Sequence, residues 1–210
     1  PGAPRRSSRP SCWSFRWRGH PSSAFALNVN ASALDVAAAW PLVLAIAPPS
    51  FDRWAGLDPS GTVHALRADV VRERAGSEPR FEFSADVSDL AARPAGRWPG
   101  LSGITARMSG TDQRGRIALS ADSPSFDWPR WLREPISAER FGGEVDWRRE
   151  SGAWIFASPE LRVTHPQAVA HGSLELRMPG RGRSPYLDLE ARVERLDATL
   201  VRSVLPVGRL

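Results

Sequence analysis

The sequence predicts a mainly β protein, an antiparallel and twisted meander sheet of about ten strands with two or three short helices. From residue 24 onward, apolar and polar residues alternate with a period of two over most of the chain. The 19 prolines and 17 glycines fall largely between the alternating runs, where they mark turns. Because successive strand residues point to opposite faces, each strand should have one apolar and one polar side.

The clearest alternating run places Phe81, Phe83, Ala85 and Val87 against polar neighbours. Similar runs begin near residues 25, 66, 104, 117, 145, 161, 174 and 187. Residues 110–115 and 179–185 are rich in glycine, proline and polar residues, and they predict hairpin loops between neighbouring strands. Alternation of this kind is typical of antiparallel sheets with one solvated face.

Three segments break the alternation and predict short helices, at residues 36–47, 126–132 and 198–205. Each follows an aspartate (Asp35, Asp122 or Asp197), and the helix dipole favours a negative charge at this end. Residues 33–37 resemble residues 195–199, so similar strand-and-helix blocks are expected to recur. We therefore expect the chain to be a fragment of a longer, elongated protein.

Residues 1–22 are rich in proline, serine and arginine without periodicity, which predicts a disordered segment outside the β-rich domain of residues 23–210. The alternative is a short edge strand, because Trp13, Phe15 and Trp17 alternate with other residues.

The charge pattern argues against nucleic-acid binding. The formal net charge is +5, and five arginines lie in the first 22 residues, which contain no acid. The rest of the chain has as many basic as acidic residues. Proteins that bind nucleic acids instead concentrate positive charge on one face.

Neither a disulfide framework nor a membrane span is expected within this chain. Cys12 is the one cysteine. The most apolar stretch, residues 36–47, contains Pro41 and is shorter than the roughly 20 residues that cross a bilayer. Any membrane anchor should therefore lie outside this chain.

The sequence contains no motif that indicates catalysis, a metal or a cofactor. A nucleophile elbow and the glycine-rich phosphate loops are absent. His165 and His171 flank Pro166 without a metal-ligand spacing, and the acidic residues mostly occupy the polar positions of strands. We expect a protein that is not an enzyme and holds neither a metal ion nor a cofactor.

The shared apolar face has two interpretations that periodicity cannot separate. It is either the core of a two-layer β-sandwich or an open groove that binds lipid chains. The nine tryptophans favour a further alternative, a carbohydrate-binding or adhesive β-sandwich of the cell envelope.

Five motifs in order resemble the YhdP family of AsmA-like (DUF3971-type) envelope proteins of Gram-negative bacteria. They lie at residues 59–63 (PSGTV), 101–110 (LSGITARMSG), 131–136 (WLREPI), 141–147 (FGGEVDW) and 184–189 (SPYLDL) with Leu205-Pro206. The resemblance covers about residues 30–210, the central region of the family's proteins.

This resemblance implies a periplasmic segment of an inner-membrane-anchored, bridge-like protein that carries phospholipid acyl chains between the two membranes without catalysis. Envelope protein partners are not identified by it. The candidate groove residues are Phe81, Phe83, Ile104, Met108, Ile117, Leu119, Leu174, Leu176, Leu187 and Leu189.

Overall fold

The computed structural model describes residues 12–20, 22–46, 56–96, 99–130, 132, 134–179 and 184–197. These residues form one open antiparallel sheet and one helix. The strands are β1 (Trp13–Gly19), β2 (Phe25–Asp35), β3 (Ser60–Arg72), β4 (Arg80–Ala92), β5 (Gly100–Thr111), β6 (Arg114–Asp122), β7 (Ser125–Asp127), β8 (Ile136–Ser137), β9 (Arg140–Glu150), β10 (Ala153–His165), β11 (Ala168–Met178) and β12 (Tyr186–Leu196). The helix, α1 (Val36–Ile46), follows β2.

The sheet is a meander, as the sequence predicts. Its strand order is β1-β2-β3-β4-β5-β6-β9-β10-β11-β12, and each of these strands pairs antiparallel with its neighbours. The ten positions along this path agree with the expected number of strands. β1 confirms the edge-strand alternative for Trp13, Phe15 and Trp17, whose side chains remain exposed.

Strands β7 and β8 explain why β6 lies beside β9. Residues Thr105–Gly110 of β5 pair with β6, and the preceding Gly100–Ser102 pair with β7. β7 in turn pairs with β8, which is followed by β9. β7 and β8 thus continue the strand positions of β6 and β9 at that end of the sheet.

The predicted helix at residues 126–132 is wrong. Phe126 lies in β7, opposite Leu101 and Ile136, and a turn follows it, in which Leu132 N–H donates to the carbonyl of Trp128 at 2.8 Å. Strand pairing on both sides provides partners for the backbone, and Pro129 has no N–H to donate to a helix.

The helix predicted at residues 36–47 is confirmed as α1, which packs against β2 and β3. The Asp35 carboxylate accepts a hydrogen bond from the Ala38 N–H at 2.9 Å, so it caps the first turn as predicted. The helix predicted at residues 198–205 lies outside the described residues. No described helix has both the length and the apolar character needed to span a bilayer.

The described strands make a single layer, so the two-layer sandwich core is not the architecture of this part of the chain. Burial comes from neighbours within the sheet rather than from a facing sheet. The buried apolar residues among those described are Ala31, Ala85, Val87, Ala106, Ala121, Trp147 and Ile155. Most are small, which is the pattern expected when taller side chains of adjacent strands cover them.

Candidate functional site

The strand registers place all ten candidate groove residues on one face of the sheet, here called the apolar face. Residues directly opposite each other in an antiparallel pair point to the same side. The row nearest the β5–β6 hairpin contains Phe15, Val29, Ala68, Phe83, Gly110, Gly115, Trp147, Phe156, Leu176 and Leu187, one residue from each strand of the meander path.

The other candidate residues lie in the same row or in parallel rows. Phe81 precedes Phe83 by two positions on β4, and Met108 is directly opposite Ile117. Leu119 is opposite Ala106, two positions from Ile104 along β5. Leu174 is opposite Leu189. The sequence therefore predicted one continuous apolar face, and the sheet brings its members together.

No second layer covers this face among the described residues, and its exposure is highest on the two edge strands, where Phe15 of β1 is 65% exposed. Leu187 and Leu189 are 57% and 61% exposed, whereas the other eight candidate residues are half-buried. Leu187 and Leu189 lie on the last described strand of the sheet, so they have neighbours on one side. The apolar surface is thus most accessible at the two edge strands, β1 and β12, and less accessible between them.

Trp147 is an important member of the face that the candidate list omits. It is directly opposite both Gly115 and Phe156, and Gly115 is opposite Gly110. Its indole stacks on the ring of Phe83, with centroids 5.8 Å apart and an interplanar angle of 18°. The alternation of residues 145 and 147 with polar neighbours predicts that the Trp147 side chain lies on the apolar face. Its position over two glycines depends on the register of β5, β6 and β9, which alternation does not give.

Just beyond Trp147, an ion pair links β9 with the turn that precedes β4. Arg149 Nη1 and Nη2 donate hydrogen bonds to the carboxylate of Glu78 at 2.9 and 3.4 Å. Arg149 is on β9, and Glu78 is in the turn between β3 and β4. The hydrogen bonds and charge of Arg149 lower the pKa of Glu78, and the carboxylate raises that of Arg149. The guanidinium also lies 5.9 Å from the centre of the Trp154 ring.

The opposite face carries ion pairs between neighbouring strands, here called the polar face. Arg116 Nε lies 2.8 Å from Asp146 Oδ1, and its Nη1 lies 3.4 Å from Glu144. These carboxylates raise the pKa of Arg116. Arg107 Nε lies 2.9 Å from Asp86 Oδ1. This face agrees with the prediction that acidic residues occupy the polar, solvated positions of strands.

One apolar side chain is fully buried on the polar face. Ile155 is 0% exposed and lies opposite Arg148 and Arg177 in the two neighbouring strands. Both arginines pair with Glu175, at 3.9 Å in each case. The aliphatic stems of such arginines can cover an apolar neighbour while their charged ends stay in water.

The histidines make pairwise contacts within the sheet. His64 Nε2 lies 3.0 Å from Ser88 Oγ, and His171 Nδ1 lies 3.2 Å from Glu194. Among the described residues, no three His, Cys, Asp or Glu side chains are grouped so as to hold a metal ion. The six described tryptophans also differ, from Trp13 at 64% exposed to Trp147 at 7%.

A family model described as YhdP protein matches residues 8–210 of this chain. The chain belongs to the YhdP family. Its match to this family begins within residues 1–22 and includes β1. A relative of the YhdP family, the intermembrane phospholipid transporter YhdP of Escherichia coli (strain K12), is 22% identical over 176 residues. That alignment covers 82% of this chain and 14% of the relative's length. No solved structure matches the chain significantly.

Proposed function

We propose that this chain is a segment of a phospholipid-transfer protein of the bacterial envelope, and that acyl chains travel along its apolar face. The segment would lie in the periplasm as part of an inner-membrane-anchored protein whose anchor is outside this chain. Its role is transport, not catalysis. Family membership and the relative's name, intermembrane phospholipid transporter, support this assignment.

The observation that carries the proposal is the continuity, across ten strands, of an apolar face that no second layer covers in the described part of the chain. A monomeric soluble protein rarely exposes a large contiguous apolar patch, and such patches often mark binding surfaces. Each methylene removed from water gains about 0.8 kcal/mol, so an acyl chain on this face would be stabilised by many small contributions. Because these contributions are non-directional, a chain can shift along the face without losing a specific bond.

The polar face supports the same arrangement by its contrast with the apolar one. Its charged residues, including Arg116 and Asp146, satisfy one another across strands. That face can therefore remain in water while the apolar face holds lipid. Lipid head groups would stay at the solvated rim, since burying a charged group without a partner is costly.

The test places a charge on each face at adjacent positions of β6. Leu119 lies on the apolar face and is half-buried, whereas Ser120 lies on the polar face and is exposed. In the full-length protein, Leu119→Asp should reduce phospholipid transfer between donor and acceptor vesicles, because acyl chains would have to pass a carboxylate. Ser120→Asp introduces the same charge on the same strand and should leave transfer unchanged.

Circular dichroism and thermal unfolding of both variants separate a blocked path from a lost fold. Normal transfer by a folded Leu119→Asp variant would contradict the assignment of the apolar face as the lipid path. Equal loss in both variants would also contradict it, because the effect would then not depend on the face.

A further inference from the structure

We infer that acyl chains crossing the middle of the sheet pass on one side of Trp147 only, because side chains close the apolar face on its other side. This inference rests on the proposed function and specifies the route of the lipid. Trp147 is thus a positioning residue. Phe83, Glu78 and Arg149 are the other residues that close the face on that side.

The Trp147 indole closes the face by lying over a depression that two glycines create. A Cβ added to Gly115 would overlap the indole atoms Cζ2 and Cη2, and a Cβ on Gly110 would overlap Cζ2. The indole can therefore extend from β9 across β6 and β5 until it meets Phe83 on β4. Trp147 is only 7% exposed although the described residues form no second sheet above it. The indole and the Phe83 ring fill the space above the two glycines, so a lipid tail cannot enter that depression.

The ion pair extends this closure toward the hairpin end of the sheet. Glu78 and Arg149 also connect the β3–β4 turn with β9, across the tip of the β5–β6 hairpin. Arg149 is two positions beyond Trp147 and lies on the same face, beside Trp154. The backbone N–H of Arg149 donates to the Gln113 carbonyl at 2.8 Å, which holds the hairpin tip against β9. An acyl chain at this end would meet a charged bridge.

On the side of Trp147 away from the β5–β6 hairpin tip, the face has small and aliphatic residues. The described residues form no ion pair like that of Glu78 and Arg149 across them. One row across β4, β5, β6, β9 and β10 contains Val87, Ala106, Leu119, Gly143 and Leu161. Leu119 and Leu161 are half-buried and accessible to a lipid tail, whereas Val87 and Ala106 are 5% and 4% exposed and form the floor of the row. Four steps between strands span about 19 Å, comparable to one extended lipid tail. This row is the route that we assign.

The experiment maps lipid contacts in the full-length protein without altering the face. The protein is loaded with a phospholipid that carries a photoreactive diazirine near the end of one acyl chain. The complex is then irradiated, and peptide mass spectrometry locates the adducts. We expect adducts at Leu119 and Leu161 and no adducts at Phe83 and Trp147. Adducts at Phe83 and Trp147 as frequent as those at Leu119 would overturn the route while leaving the apolar face as the lipid path.

Adducts confined to the polar face, for example at Arg116, would overturn both the route and the proposed function. A second variant tests Trp147 directly. Trp147→Ala should open the depression, so that adducts appear at Phe83. Trp128→Ala removes a half-buried indole near β7, at the other end of the sheet, and should leave the adduct pattern unchanged. If Trp147→Ala folds and Phe83 still lacks adducts, Trp147 does not close the face.

Discussion

Trp147 and Phe83 stack with their ring centroids 5.8 Å apart although two strands, β5 and β6, separate them in the sheet. Contact at this distance requires that nothing stands between the two rings. Gly110 and Gly115 meet this requirement, since they are the residues of β5 and β6 in the same row. The stack is thus a cross-sheet contact made possible by two absent side chains.

Removing the indole should destabilise the sheet substantially. Trp147 is 7% exposed, and truncating a buried tryptophan to alanine typically costs about 3 kcal/mol or more. We expect Trp147→Ala to lower the free energy of unfolding by roughly that amount in urea titrations. Trp13→Ala is the matched control, because Trp13 is 64% exposed on edge strand β1 and should change stability by about 0.5 kcal/mol or less. Similar losses in the two variants would contradict the role of Trp147.

The glycine beneath the indole should not tolerate even a methyl group. A Cβ at position 115 would overlap the Trp147 ring, so Gly115→Ala should destabilise the protein by about 1–3 kcal/mol through overpacking. Gly142→Ala in neighbouring β9 is the control, because its Cβ would lie 3.4 Å from the Leu119 carbonyl oxygen, an ordinary contact. Thermal unfolding of both variants checks this expectation, and equal melting temperatures would refute it.

The ion pair of Glu78 and Arg149 should be visible in the titration of the carboxylate. Arg149 holds the pKa of Glu78 below its ordinary value of 4.5. A carboxylate with a lowered pKa stabilises the fold above its unfolded value, and this contribution is lost as the pH falls through the lowered pKa. Carbon-detected NMR should show the Glu78 pKa rising toward 4.5 in Arg149→Gln.

The control for this titration is Arg93→Gln, which removes an arginine that pairs with Asp58 at 3.3 Å instead. It should leave the pKa of Glu78 where it is in the unaltered protein. An unchanged pKa in Arg149→Gln would show that the two side chains do not pair in solution.

Ile155 should be the polar-face position most sensitive to truncation. It is 0% exposed between Arg148 and Arg177, so Ile155→Ala should cost about 2–4 kcal/mol in urea unfolding. Leu187→Ala removes a side chain of similar size that is 57% exposed, and it should cost about 1 kcal/mol or less. If the two substitutions cost the same, the covering role of the arginines would be wrong.

The strands and the apolar face could be predicted because a period of two is a local property of the sequence. Phe81, Phe83 and their neighbours alternate clearly, and the sheet keeps that alternation. Residues with positive φ interrupt it at particular points, for example Ala65 at 49° and Asp89 at 53°. Register shifts accompany them between β3 and β4 and between β4 and β5. Such bulges depend on the partner strand, so periodicity did not predict them.

The two main departures from the sequence prediction also arise from partners distant in the chain. Residues 126–132 follow Asp122, which favours the start of a helix, but pairing of Phe126 with Leu101 and Ile136 selects a strand. Trp147 alternates with polar neighbours in the sequence, but its position over Gly110 and Gly115 requires that β6 lie beside β9. That adjacency follows from the β7–β8 insertion, which local patterns did not predict.

Native mass spectrometry of the full-length protein purified from membranes shows whether the apolar face binds phospholipid. We expect bound phospholipid in the unaltered protein and in Ser120→Asp, and less bound phospholipid in a folded Leu119→Asp variant. Absence of bound phospholipid from the unaltered protein in repeated preparations, or equal occupancy in all three proteins, would contradict the assignment of the apolar face as the lipid path.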